Sequence, residues 1–149
     1  MGRLETKSRL AQIGVVTDGK CMFCRKEESQ EHLFFACEFT GEIWRKMLTW
    51  IGIFRKLQDW KIEKAWLCVE TSKKGWNRLI LKAVIAEKIY AIWTLRNDII
   101  FKNQSMDDDL QHKIKVNVVT RCSVITKLSN HVNLEELSLV SLVLLLLLF

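Results

Sequence analysis

The sequence predicts a mainly α protein: a small zinc-stabilised loop module followed by packed long helices. Three observations carry that expectation. The chain of 149 residues contains no proline and only six glycines, so few residues interrupt a helix. Long stretches place apolar side chains three and four residues apart. Between these features and the N-terminus, three cysteines and a histidine crowd into "CMFCRKEESQEHLFFAC", residues 21 to 37.

The N-terminal "LAQIGVVTDGK" reads as a short apolar piece followed by a turn at Asp18-Gly19. After the cysteine cluster, "TGEIWRKMLTWIG" predicts a helix. Thr40 is the expected cap, with Glu42 in the positive first turn. Ile43, Trp44, Met47, Leu48 and Ile51 form one face, and Gly52 ends it. Residues 53 to 72 fit either a short helix or a strand. Lys73 to Lys102 predict a long, largely buried helix. Trp76, Leu79, Ile80, Ala83, Val84, Tyr90 and Trp93 lie along its stripe, widened by Ala86, Ile89, Ile92 and Ile100. A third long helix is capped by Ser105 or Asp107 and turns Leu110, Ile114, Val118, Cys122, Ile125 and Leu128 inward. It leaves Lys113, Lys115, Arg121 and Lys127 for solvent or a partner. The expected division is a zinc-binding module over 1–55, a helical region over 56–131 and an apolar tail over 132–149.

The tail's run Leu139–Phe149 has 11 residues. As a helix it would span about 16 Å, against a bilayer core of about 30 Å. A membrane span is therefore not expected; a terminal helix packed on the core or a sticky, exposed tail is. The N-terminus has no apolar signal region. Gly2 and Thr6 formally meet the short myristoylation pattern, but one acyl chain anchors only marginally. A reducing compartment, nucleus or cytoplasm, is the expectation, and five cysteines suit a disulfide framework poorly.

The cluster spacing is Cys-x2-Cys-x7-His-x4-Cys, carried by Cys21, Cys24, His32 and Cys37. Zinc in a closed structural site takes four nitrogen or sulfur ligands in a tetrahedron. A tight Cys-x-x-Cys turn supplies two, and His32 and Cys37 return from the other side. On an ideal helix two residues five apart are about 140° apart, too far for one face. A helix through "QEHLFFA" should therefore end or loosen near Cys37. Leu33, Phe34 and Phe35 provide an apolar cover. Three thiolates and one imidazole leave no open position, which marks a bound Zn2+ as structural. A redox pair is the lesser alternative, and unrelated buried thiols are the bland one.

The formal net charge of +6 suits a polyanionic partner, RNA or DNA. Lys20, Arg25 and Lys26 flank the cluster and are the candidate phosphate contacts. Arg96 and Asn97 interrupt an apolar stripe; satisfaction of buried backbone groups or a solvent-facing position is the stronger expectation and nucleic-acid contact the weaker. The tryptophans are expected mainly in the core, as are Cys68 and Cys122. His112 and His131 have no second ligand pair nearby. The acidic run at 107–109 fits capping better than a two-metal site. Neither a nucleophile with a base, nor a spaced carboxylate pair, nor a phosphate-binding glycine loop is evident, and no small-molecule substrate is expected.

The run "CMFCRKEESQEHLFFACEFTGEIWRKMLTWIG" resembles the reverse-transcriptase zinc-binding domain of plant non-LTR, LINE-type retrotransposons. The resemblance is carried by Cys21, Cys24, Glu28, Ser29, Glu31, His32, Leu33, Phe34, Phe35, Cys37, Ile43, Trp44 and Trp50. Downstream, Ile92, Trp93, Arg96, Asn97 and Phe101 look like the family's Ile-Trp-x-x-Arg-Asn segment. The resemblance implies a non-catalytic zinc module that contacts nucleic acid, and a piece of a longer element, since no Tyr-x-Asp-Asp polymerase motif is present. A zinc-stapled protein-interaction module and a non-functional remnant are the alternatives.

Overall fold

The computed structural model describes residues 6–106 and 109–129. Five α-helices and one π-turn make up its regular structure: α1 (Lys7–Gln12), the π-turn (His32–Ala36), α2 (Glu38–Trp50), α3 (Trp60–Ser72), α4 (Trp76–Lys102) and α5 (Leu110–Ser129). Among the described residues there is no strand, only an isolated antiparallel bridge between Lys20 and Glu27. The mainly α expectation holds.

α2 starts two residues before the expected cap. Cys37 is extended (φ −71°, ψ 136°) and occupies the N-cap position, while Thr40 lies buried within the first turn. The cluster cysteine ends one helical segment and opens the next, a role that propensity alone assigned to a hydroxyl residue. The C-terminus is as read: Gly52 takes φ 79°, and the Gly52 and Ile53 amides reach back to the Thr49 and Leu48 carbonyls.

The ambiguous stretch resolves as helix α3. Asp59 caps it, its carboxylate accepting from the Lys61 and Ile62 amides at 2.9 and 3.2 Å. Its buried side chains are Glu63 and Leu67. Cys68, one position further round, is exposed and is not a core thiol. α4 ends on Asn103 in the left-handed conformation. Ser105 does not cap the next helix; Asp109 stands at the start of α5, its carbonyl accepting the Lys113 amide at 3.1 Å. Asp107 lies outside the described residues, as do the apolar tail and His131.

One apolar cluster gathers Leu33 and Phe34 from the π-turn, Ile43, Trp44, Met47 and Leu48 from α2, and Leu67 from α3. Leu81, Val84, Ile85, Ile89, Ile92 and Leu95 join it from α4, and Leu110, Ile114 and Val118 from α5. Cys122 packs at its edge. The side chains of Ile125, Lys127 and Leu128 lie outside the described ones. Two members of the expected α4 stripe face out instead: Trp76, in the first turn, and Tyr90. Tyr90 is two positions from both Lys88 and Ile92, about 200° round the helix from each. Of the tryptophans only Trp44 is fully buried; Trp50 and Trp76 are exposed, and Trp60, Trp66 and Trp93 are half-buried.

Several charged side chains enter this core in pairs, as burial demands. Glu63 accepts from Trp44 Nε1 at 2.9 Å and from Arg55 at 2.5 Å. Arg55 also stacks 4.0 Å over the Trp66 ring. Glu87 of α4 binds Asn117 and Arg121 of α5, at 2.6 and 2.9 Å. Arg121 is therefore engaged within the fold. Arg96, weighed above as a phosphate contact, is 1% exposed and donates to Glu28 at 2.7 Å. That bond joins α4 to the cysteine loop across 68 positions of chain.

Glu28–Arg96 provides a test of how firmly the loop and the helices are joined. Removing one partner of a buried pair costs about 3–5 kcal/mol, because the other charge stays buried and unpaired. Arg96→Met is expected to destabilise by about that amount in chemical denaturation, and Glu28→Gln combined with Arg96→Met by less than the sum of the singles.

Candidate metal centre

The knuckle begins with α1, which packs across the base of the loop. Ser8 Oγ lies 2.8 Å from the Glu28 carbonyl and 3.2 Å from that of Gly19. Glu28 Oε1 accepts the Lys7 amide at 2.5 Å. The turn read at Asp18-Gly19 is present: Asp18 Oδ1 accepts the Lys20 amide at 3.1 Å and the Lys7 ammonium at 2.7 Å. These contacts hold the Asp18 carboxyl below its ordinary pKa, the Lys7 hydrogen bond being the main cause.

Cys21 and Cys24 sit in a tight turn. The Cys21 amide donates to Lys26 O at 2.7 Å and the Arg25 amide to Cys21 O at 2.9 Å. Arg25 closes the turn with φ 65°, unusual for a residue with a side chain. The turn points both sulfurs inward and leaves Lys20, Arg25 and Lys26 exposed on its outside. Lys26 pairs with Glu38 at 2.8 Å, a solvent-exposed contact.

The return arm of the loop ends at Ser29. Its Oγ accepts the His32 amide at 3.0 Å and its carbonyl accepts the Leu33 amide at 2.9 Å, a side-chain cap on a new helical segment. That segment does not continue as an α-helix. From His32 to Ala36 it widens into a π-turn, and the Cys37 amide bonds back to the His32 carbonyl at 2.8 Å, five residues earlier. The i→i+5 bond brings the Cys37 backbone back over His32. The 140° mismatch expected of His32 and Cys37 is thereby reduced, and the extended backbone of Cys37 lets its sulfur complete the approach. The helix does loosen as anticipated, but by widening before Cys37, and the extended Cys37 then breaks it.

The result is a cluster. One ligand atom from each of Cys21, Cys24, His32 and Cys37 lies within 4.8 Å of every other. Cys21 and Cys37 sulfurs are 4.0 Å apart, and Cys24 Sγ is 3.0 Å from His32 Nε2. Zinc–sulfur bonds of about 2.3 Å in a tetrahedron place two sulfurs about 3.7 Å apart, close to the 4.0 Å between the Cys21 and Cys37 sulfurs. None of the three cluster cysteines is in a disulfide. Cys21 and Cys37 are buried, while Cys24 and His32 are half-buried. The arrangement is suited to a metal ion, and its soft, closed donor set suits zinc.

The electrostatics favour a thiolate at Cys37. The Cys21 thiol opposite it is the main influence holding its pKa down, and the Phe39 and Thr40 amides at the N-terminus of α2 add to this. Cys21 is pushed up correspondingly, by the same sulfur contact and by burial. One proton shared between two sulfurs is the physical content of that pair.

Leu33 and Phe34 are anchored in the main core rather than forming a separate cover. Phe35 stacks on Trp60 with ring centres 4.4 Å apart and meets Trp44 edge-on at 6.0 Å. Phe23, between the first two cysteines, stacks on Phe39 at 4.9 Å. Beneath the π-turn lies Lys88 of α4, a residue the sequence pattern passed over. It is fully buried, its Nζ donates to the Phe34 carbonyl, and it stands 3.9 Å from the Phe35 ring centre and 5.0 Å from that of Trp44. Burial pushes its pKa well below the ordinary lysine value; Glu63 and Cys37 oppose that shift. The available signal was a lone lysine between Ile85 and Ile89 in a helix apolar on most sides.

Residues 1–44 match the family model described as zinc-binding in reverse transcriptase. The N-terminal stretch is similar to that family. The match takes in all four cluster residues and ends at Trp44, and the family is defined by metal binding rather than polymerase chemistry. Neither the curated proteins nor the solved structures provide a match. Among the described residues, no helix is long and apolar enough to cross a membrane.

Gly41 tests the packing of α2 on the π-turn. A Cβ there would lie 3.2 Å from the Phe35 carbonyl. Gly41→Ala is expected to change stability by less than about 1 kcal/mol, because the helix propensity gained offsets the close contact. Gly41→Val is expected to cost about 1–3 kcal/mol by overpacking. Thermal melts of both variants distinguish a tight turn from a loose one.

Proposed function

We propose that the chain is a non-catalytic, zinc-stabilised module of reverse-transcriptase origin that contacts nucleic acid. The observation that carries the proposal is the three-sulfur, one-nitrogen cluster inside the segment matching a zinc-binding family. Cys21, Cys24, His32 and Cys37 are the proposed ligands. A closed tetrahedral set leaves no position for water or substrate, so the ion's role is to fold the loop. The resemblance set out above supports an origin in a plant LINE-type retrotransposon. The expected setting is the nucleus or cytoplasm, where such nucleic acids occur.

Lys20, Arg25 and Lys26 supply the proposed contact. They lie on the outer edge of the turn that carries Cys21 and Cys24, exposed and close in sequence. Such contacts position a backbone without reading its sequence. Arg96 is not part of this surface, since it is buried against Glu28.

Two measurements test the proposal. Zinc content of the purified chain is expected at one ion per molecule, falling in Cys24→Ser and His32→Ala, and affinity should weaken on acidification because protons compete with the metal for the thiolates and the imidazole. Unchanged stoichiometry in those variants would refute the site. For nucleic acid, binding of the zinc-loaded chain to single- and double-stranded probes is expected to weaken with salt, each lost phosphate contact lowering the log–log slope by about 0.7–0.9. Arg25→Gly is the informative variant: glycine accepts the positive φ, so the turn survives while the contact is lost. Salt-insensitive binding would sink this half of the proposal.

A further inference from the structure

We infer that Lys88 is a positioning residue for the metal centre: the hydrogen bond from its Nζ to the Phe34 carbonyl holds the His32–Cys37 π-turn in metal-binding register. This inference rests on the zinc reading of the cluster.

A π-turn needs support. It is a rare alternative to α-helix, and five residues at ordinary helical pitch would carry Cys37 away from His32. Within the turn, the Cys37 amide is committed to His32 O. The next residue in line, Cys37 itself, is extended, which ends the helical succession of amides behind the turn. The Phe34 carbonyl sits at the middle of this irregular segment and is buried with its residue. Lys88 brings a donor to it from a different helix, 54 positions away.

The lysine is itself fixed. Its side chain is fully buried on α4, between Ile85 and Ile89 of the core. Its Nζ faces the Phe35 and Trp44 rings, and Glu63, held by Trp44 and Arg55, is the nearby carboxylate that favours its charge. A lysine in a core costs free energy that a leucine or methionine would not. Its one hydrogen-bonded partner among the described residues is the turn that spaces two ligands. Neighbours that orient metal ligands in this way typically control affinity by about 10–100-fold.

The test uses the full chain and Co2+ as a spectroscopic probe, with affinity read by competition against a chromophoric chelator. Lys88→Met keeps the apolar stem and removes the donor. It is expected to weaken Co2+ binding by about tenfold or more and to lower the sulfur-to-cobalt charge-transfer intensity per bound ion, with helical circular dichroism retained at saturating metal. Lys82→Met, on the same helix and also buried, is the control and should stay within about twofold of the parent chain. Lys88→Gln retains an N–H donor and should recover much of the loss; it decides the matter should Lys88→Met fail to fold. Parent-like affinity and spectrum in Lys88→Met overturns the inference, as does an equal loss in Lys82→Met. A parent chain that binds no Co2+ refutes the zinc reading itself, a separate and distinguishable failure.

Discussion

His32 and Cys37 stand five positions apart, and the knuckle depends on bringing both to one point. An α-helix repeats every 3.6 residues and cannot do so. The chain answers with a π-turn closed by a bond from the Cys37 amide to His32 O. Ser29 starts that turn and Cys37 ends it, so cap, ligand and helix breaker all fall within nine residues of chain. The same extended backbone at Cys37 opens α2 and brings that helix's N-terminal amides near the sulfur, where they favour the thiolate.

The loop is small, and its order comes from two directions. α1 closes its base through Ser8, Lys7 and Glu28. α4 reaches it twice, through Arg96 to Glu28 and through Lys88 to Phe34. Both contacts are buried and polar, and both come from one long helix. A carboxylate in the loop and a carbonyl in the π-turn are thus met by hydrogen-bond donors fixed far away in sequence. The pair Glu28–Arg96 is not fully satisfied: among the described residues Glu28 Oε2 and Arg96 Nε have no hydrogen-bond partner. Such pairs hold a particular arrangement more than they add net stability.

This arrangement separates the two faces of the knuckle. The inner face presents sulfur and imidazole, joined to the core by Leu33, Phe34 and Phe35. The outer face carries Lys20, Arg25 and Lys26 in solvent. A metal at the inner face would stiffen the turn that displays the outer one. In the proposed function, an ion with no open coordination position would act on binding through that turn, while the buried Arg96 serves the fold.

The sequence by itself determined the helical class, the four cluster residues, the turn at Asp18-Gly19 and the end of α2 at Gly52. Those features are local: they follow from spacing, from residues that favour or break helices, and from chemistry shared by near neighbours. It did not determine the fate of Arg96, Lys88, Cys68, Trp76 or Tyr90. A lone arginine in an apolar stripe reads more often as a group satisfied within the fold or turned to solvent than as a ligand contact, but its partner, Glu28, lies 68 positions away and is named only by the tertiary structure. The start of α2 at Cys37 rather than Thr40 is of the same kind, since a cysteine becomes a helix opener only where the cluster holds its backbone extended. Tertiary structure decided these cases because burial and charge pairing depend on distances through space, whereas periodicity and spacing record only distances along the chain.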